Sequence, residues 1–173
     1  MTPSVHLWNP PFCGNIDMHI AANGTWYYQG TPINRPEMVK LFASVLRSTP
    51  EGFELVTPVE RVGIQVEDAP FIATTMQIIG SNQNQQLKFT TNIGDEVTAG
   101  KDHPLKFSRK PDSAFIPYCL VRDNLWAKLT RSLYTELVDI GTTHDTDGKS
   151  MFGIWSDGVF FGMVNSDELE RNC

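Results

Sequence analysis

Three arginines stand where an anion would be held. Arg35 comes just before a helix-like run opening at Pro36, Arg122 just before a second predicted from Asp123, and Arg131 lies along that second run. A helix start offers unpaired N–H groups and positive potential, so an arginine beside it makes a phosphate or carboxylate site. The competing reading pairs each arginine with a neighbouring carboxylate. Trp26 and Tyr118 have faces suited to stacking on a base or ring, although aromatic residues in hairpins more often serve as core or cross-strand partners. Asp17, His19 and Glu67 would orient polar groups of the same ligand.

A second kind of chemistry is sketched by Cys13, Asp17 and His19, since a thiol, an imidazole and a carboxylate are the parts of a cysteine nucleophile. Side chains two apart on a strand point in parallel, however, and triads gather from separate elements. A surface hydrogen-bonded pair beside an inert thiol is the simpler expectation. Cys13 sits in a Pro/Gly-rich arm and is the candidate redox sensor; Cys119 lies in an apolar strand and is expected to be inert. Asp145-Thr146-Asp147-Gly148 opens like a calcium loop, but Lys149 and an apolar run follow where oxygen ligands are needed, so it reads as a turn. Cys13, Cys119 and Cys173 lack metal or redox spacing, and His6, His19, His103 and His144 are scattered. No Gly-rich phosphate loop or nucleophile elbow is present, so neither a metal nor a cofactor is expected.

The elements that must carry these residues read as follows. Ile16, Met18 and Ile20 alternate with Asp17 and His19, a half-buried strand. Asn23-Gly24 suits a tight turn to Trp26 and Tyr28, and this outweighs its match to a glycosylation acceptor. Pro36 suits a first helical position, and Met38, Leu41, Phe42 and Val45 keep helical spacing, predicting a helix over 36–48. Strands are expected over 53–57, 61–67 and 71–79. A similar series follows: a hairpin over 87–99, a basic loop around Pro104 and Pro111, a strand over 115–121, a helix over 123–132 opened by Asp123, a strand over 134–140, and a hairpin over 151–164. Ser166 is expected to cap a short terminal helix. Hairpin, helix, strand and hairpin thus recur, which predicts an internal duplication. The turn-rich Gly80–Gln86 stretch is the candidate boundary, giving domains 1–84 and 85–173, and is also short enough for a hairpin tip.

The net charge of −6 over 173 residues argues against binding a nucleic-acid polymer. Its distribution is uneven: residues 101–131 carry 7 basic and 3 acidic side chains, an island in an acidic chain. That island is either a solvated face or a pocket for a small anion. No apolar run is long enough to span a bilayer and the first residues do not read as a signal peptide, so a soluble, cytoplasmic protein is expected.

Longer motifs are familiar. Cys13-Gly14-Asn15-Ile16-Asp17-Met18-His19-Ile20 and Gly24-Thr25-Trp26-Tyr27-Tyr28-Gln29-Gly30-Thr31-Pro32-Ile33-Asn34-Arg35 resemble the opening of the bacterial domain-of-unknown-function family numbered 1285. Thr57-Pro58-Val59-Glu60-Arg61-Val62, Val66-Glu67-Asp68-Ala69-Pro70-Phe71, His103-Pro104-Leu105 and Pro117-Tyr118 continue the resemblance, which covers roughly residues 11–140. It implies a duplicated α+β core whose second domain is pleckstrin-homology-like, and a ligand site at the domain interface. It further implies a nucleotide-like ligand and a part in signalling under stress, with no established activity. A fold of that kind does not by itself imply phosphoinositide binding.

The expectation is therefore an α+β protein of two similar domains, each a mostly antiparallel sheet with one main helix. It would bind a small anionic, nucleotide-like ligand non-enzymatically, in the cleft between the two domains. Arg35, Arg122 and Arg131 would hold phosphate, Trp26 and Tyr118 would stack, and Asp17, His19 and Glu67 would orient. The alternatives are a module that docks a signalling protein and, third, a cysteine-dependent enzyme.

Overall fold

The computed structural model describes residues 3–109 and 115–165, the side chain of Asn165 excepted. The chain forms two compact units, Met1–Ile72 with Arg122–Trp126, and Ala73–Val121 with Ala127–Cys173. Cys173 and the expected terminal helix at Ser166 lie outside the described residues.

In the first unit, β1 (Phe12–Ile20) pairs antiparallel with β2 (Trp26–Tyr28), and β3 (Thr31–Pro32) adds an edge. The turn between β1 and β2 is the expected one: Gly24 has φ 88°, and Asn23 Oδ1 accepts from the Thr25 N–H at 3.0 Å. After α1 (Pro36–Ser44) come β4 (Leu46–Thr49), β5 (Gly52–Val56) and β6 (Arg61–Val66), paired as an antiparallel meander. The last strand returns parallel to β1, giving the order β3-β2-β1-β6-β5-β4. A parallel neighbour needs a crossover, which α1 and the meander supply. Met18, Ile20, Trp26, Leu55 and Val56 are buried at the centre.

The second unit holds most of a six-stranded sheet, made of β7 (Phe71–Ile79), β8 (Gln86–Thr91), β9 (Glu96–Thr98), β10 (Leu105–Arg109), β11 (Phe115–Arg122) and β12 (Leu125–Leu129). Its order is β10-β11-β12-β7-β8-β9. Then α2 (Arg131–Asp139) leads to a three-stranded meander, β13 (Thr142–Thr146), β14 (Lys149–Ser156) and β15 (Val159–Asn165). Leu87, Phe89, Leu137 and Ile154 are fully buried in this unit.

Three expectations need correction. The first helix ends at Ser44 rather than Ser48, because Leu46 to Thr49 find partners in Leu55 to Gly52 across a hairpin. Sheet hydrogen bonds there outweigh helical spacing. The second helix does not span 123–132. Asp123 and Asn124 take φ values of 44° and 61°, a tight left-handed turn, and Leu125, Ala127 and Leu129 alternate inward as a strand. The helix instead opens after Thr130 and consumes the segment 134–140 that was expected to be extended. Leu133 and Leu137, four apart, are its buried stripe.

The Gly80–Gln86 stretch joins β7 to β8, which pair in register from Ile79↔Gln86 to Met76↔Phe89, while the units change at Ile72 and Ala73. Both domains are sheet-rich with one main helix each, an α+β architecture. The recurring order is a hairpin, a nine-residue helix and a three-stranded meander. In the second unit that order begins at β11, not at the hairpin from Leu87.

Candidate functional site

The residues expected to bind an anion go to separate tasks. Arg35 is exposed at the start of α1 and makes no ion pair among the described residues. Arg122 ends β11 instead of preceding a helix, and its Nη2 donates to the Ala43 carbonyl at 2.7 Å, at the far end of α1. Its guanidinium also lies over the Phe71 ring, 5.3 Å from the centroid. A cation on a helix's last carbonyls satisfies orphan acceptors, so this arginine is a cap. At 1.5 Å per residue the two ends of α1 are roughly 12 Å apart, too far for one phosphate to bridge Arg35 and Arg122. Arg131 is exposed at the first turn of α2 in the other unit.

The polar and aromatic members also divide. Trp26 is 1% exposed and stacks on Phe42 at 6.3 Å, so it is core and offers no free face to a ring. Its indole Nε1 has no hydrogen-bond partner among the described residues. Tyr118 is buried beneath Lys106, whose Nζ lies 5.3 Å from the ring centre. His19 stacks flat on Tyr27 across the strand pair, at 4.8 Å and 8°. Asp17 is exposed, and its backbone carbonyl accepts from the Gln29 N–H. Glu67 accepts from the Ala22 N–H at 2.9 Å, fastening the chain just after β1.

Nor do Cys13 and His19 meet as a nucleophile and base. They are six residues apart on β1, which at 3.3 Å per residue is roughly 20 Å. The exposed Cys13 thiol approaches only the Pro11 carbonyl, at 3.6 Å. Cys119 is fully buried, and burial pushes its thiol up to about 12. Among the described residues no three His, Cys, Asp or Glu side chains converge on a metal position. Asp147 and Gly148 form the tight turn between β13 and β14.

The concave feature with chemical character is one that helix and strand patterning implied but sequence reasoning did not name. It is a groove of about 530 Å³ within the first unit. β1 contributes Ile16 and Met18 to its floor, with Leu55 and Val62 beside them. The wall is α1, through Met38, Leu41 and Phe42. That helix buries only Ala43 fully and leaves Leu41 63% exposed and Met38 40% exposed. Among its polar lining residues, Thr57 and Glu60 belong to the turn between β5 and β6, closed by the Thr57 N–H on the Glu60 carbonyl at 2.8 Å. The Glu60 carboxylate has no ion pair or hydrogen bond among the described residues.

A smaller cavity of about 360 Å³ in the same unit is bounded by Phe12, Asn15, Glu54 and Arg61. Glu54 is buried between two arginines, bonded to Arg47 and, at 3.0 Å, to Arg61. Arg47 Nη1 donates to the Trp8 and Val5 carbonyls at 2.8 and 3.3 Å, and Arg61 Nε to that of Pro10 at 3.1 Å. These donors tie the N-terminal arm to the sheet, so the cluster is a fastening. Its sequence trace is Arg47 opposite Glu54 in the β4–β5 register, visible only once that hairpin is known.

The comparisons agree with this two-domain architecture. Residues 3–69 match the model of "Domain of unknown function (DUF1285), N-terminal domain", and residues 70–163 that of "Protein of unknown function (DUF1285), C-terminal domain". The crystal structure of a DUF1285 family protein from Silicibacter pomeroyi DSS-3 is 48% identical. The match covers 98% of this chain and 91% of that one, with a TM-score of 0.91. A second such structure, from Shewanella baltica OS155, is 31% identical over 72% of this chain and 91% of that one, with a TM-score of 0.56. No curated protein matches significantly. The class is thus an α+β protein of two sheet-rich domains, the second pleckstrin-homology-like. The chain belongs to the DUF1285 family, whose function is unknown.

Proposed function

We propose that the protein is a non-catalytic binding protein, and that the groove of its first unit takes a small ligand with an apolar body. One observation carries this reading: about 530 Å³ of concave space, apolar in lining, beside a helix that leaves Leu41 uncovered. That volume falls within the usual range of small-molecule sites, which combine apolar walls with a few polar groups. A nucleotide-like anion has less support. Arg35 and Arg122 stand at opposite ends of α1, Trp26 is core, and the titratable groups that line the groove are Glu60 and Tyr28. Binding without reaction suits the sensing part that the family resemblance implies.

Titration with Nile red, a neutral apolar dye, tests the reading. Saturable fluorescence enhancement is expected with the parent chain. It is expected to fall at least several-fold in Leu41→Glu, whose exposed position leaves the fold intact. No saturable binding, or equal binding by that variant with an unchanged melting temperature, overturns the proposal.

A further inference from the structure

We infer that the groove selects a cationic head group: its ligand is an amphiphile whose ammonium or similar donor sits at Glu60 while its apolar body lies along α1. This rests on the binding reading above and adds the charge of the ligand to it. Three observations support it. Apolar side chains of β1, α1, β5 and β6, together with Ile33 and Val45, make up most of the lining, so an occupant contacts Leu41, Met38 and Leu55 with hydrocarbon. Besides the Tyr28 hydroxyl, the polar side chains of the lining are Thr57 and Glu60, both presented by the β5–β6 turn. The Thr57 hydroxyl is already engaged, accepting from the Glu60 N–H at 3.1 Å and donating to the Glu60 carbonyl at 3.2 Å.

The carboxylate of Glu60 is different. No Lys, Arg or His among the described residues pairs with it, and its neighbour Arg61 is committed to Glu54 and to the Pro10 carbonyl. Among the described residues no cationic side chain lines the groove. Glu60 is exposed, so its charge is solvated, but an anionic head beside it would still meet a like charge unpaired among the described residues, whereas an ammonium would gain a charge-assisted hydrogen bond. The turn that carries Glu60 is held by backbone and Thr57 contacts, so its position does not depend on the carboxylate itself.

Displacement of Nile red by decylamine, decanol and decanoate, each below its micelle-forming concentration near neutral pH, provides the test. The three share one chain and differ in head charge. Decylammonium is expected to bind roughly three- to fivefold more tightly than decanol, with decanoate weakest, in line with a solvent-exposed charge pair. In Glu60→Gln that preference is expected to collapse to within about twofold while decanol affinity is unchanged. Decanol or decanoate binding as tightly as decylammonium, or a ranking that survives Glu60→Gln, overturns the inference and leaves the apolar groove standing. Failure of all three to displace the dye, or of the dye to bind, overturns the binding reading itself.

Discussion

The segments around α1 and α2 share an order of elements and differ in how well the helix is finished. Each helix has nine residues and stands between a hairpin and a three-stranded meander. α2 buries Leu133 and Leu137, four apart, and its first turn is capped by Thr130, whose hydroxyl accepts from the Leu133 N–H at 3.4 Å. α1 has Arg35 at the capping position with no side-chain bond, buries only Ala43 fully, and leaves Leu41 and Met38 to the groove. One helix closes its layer and the other holds a space open. An apolar side chain that contributes little to folding is free to contribute to binding.

The largest expected effect tests that contrast directly. Leu137→Ala removes a fully buried side chain and is expected to cost about 2–5 kcal/mol. Leu41→Ala, at a position 63% exposed, is expected to change stability by no more than about 0.5 kcal/mol. Urea unfolding of the two variants measures both. A loss at Leu41 comparable to that at Leu137 would mean that α1 is as fully packed as α2, and the groove would lose its physical basis.

Much of this contrast was hidden in the sequence for identifiable reasons. The alternation of Ile16, Met18 and Ile20 made β1 legible, and Asn23-Gly24 its turn, because both signals are local. The end of α1 was not legible: Val45 and Leu46 continue the helical spacing, and only pairing with Leu55 turns Leu46 into a strand. The segment 123–140 failed for a related reason. Leu125, Leu129 and Leu133 fit a period of four as well as a period of two, and Asp123-Asn124 suits either a helix cap or a hairpin turn. That ambiguity moved Arg122 from a strand end to a false helix start, and the anion site went with it. Trp26 could be given a stacking role because its indole is large, yet its partner Phe42 comes from another element. The groove left a partial trace, since Met38 and Leu41 on one helix face were visible while the shallow cover over them was not.

The caps offer a smaller test that sharpens the comparison. Thr130→Ala is expected to cost about 1 kcal/mol by leaving the Leu133 N–H without its acceptor. At the equivalent place in the other unit, Arg35→Ser is expected to stabilise by roughly 0.5 kcal/mol, since Arg35 already has the extended backbone (φ −97°, ψ 109°) that a capping residue adopts. Thermal unfolding of both single variants reads the signs. Loss of stability on Arg35→Ser would mean that the arginine makes a contact α1 depends on, and the two helix starts would then be equally finished by different means.

The smallest effect at neutral pH, and the one most easily read, concerns the thiols. Cys13 is exposed in the first unit and Cys119 is fully buried in the second. Burial raises the Cys119 thiol from 9.0 to about 12, because a thiolate there would be stripped of water. The folded form thus holds this proton more tightly than the unfolded form. The resulting stability is fully present below pH 9.0 and is lost progressively as pH rises towards about 12. Near pH 8, iodoacetamide followed by peptide mass spectrometry is expected to label Cys13 readily and Cys119 only after denaturant is added. Mild peroxide is expected to follow the same order, since oxidation needs both thiolate and access. Labelling of native Cys119 as fast as Cys13 would mean that the strand carrying it opens to solvent, and that the second unit is no better closed than the first.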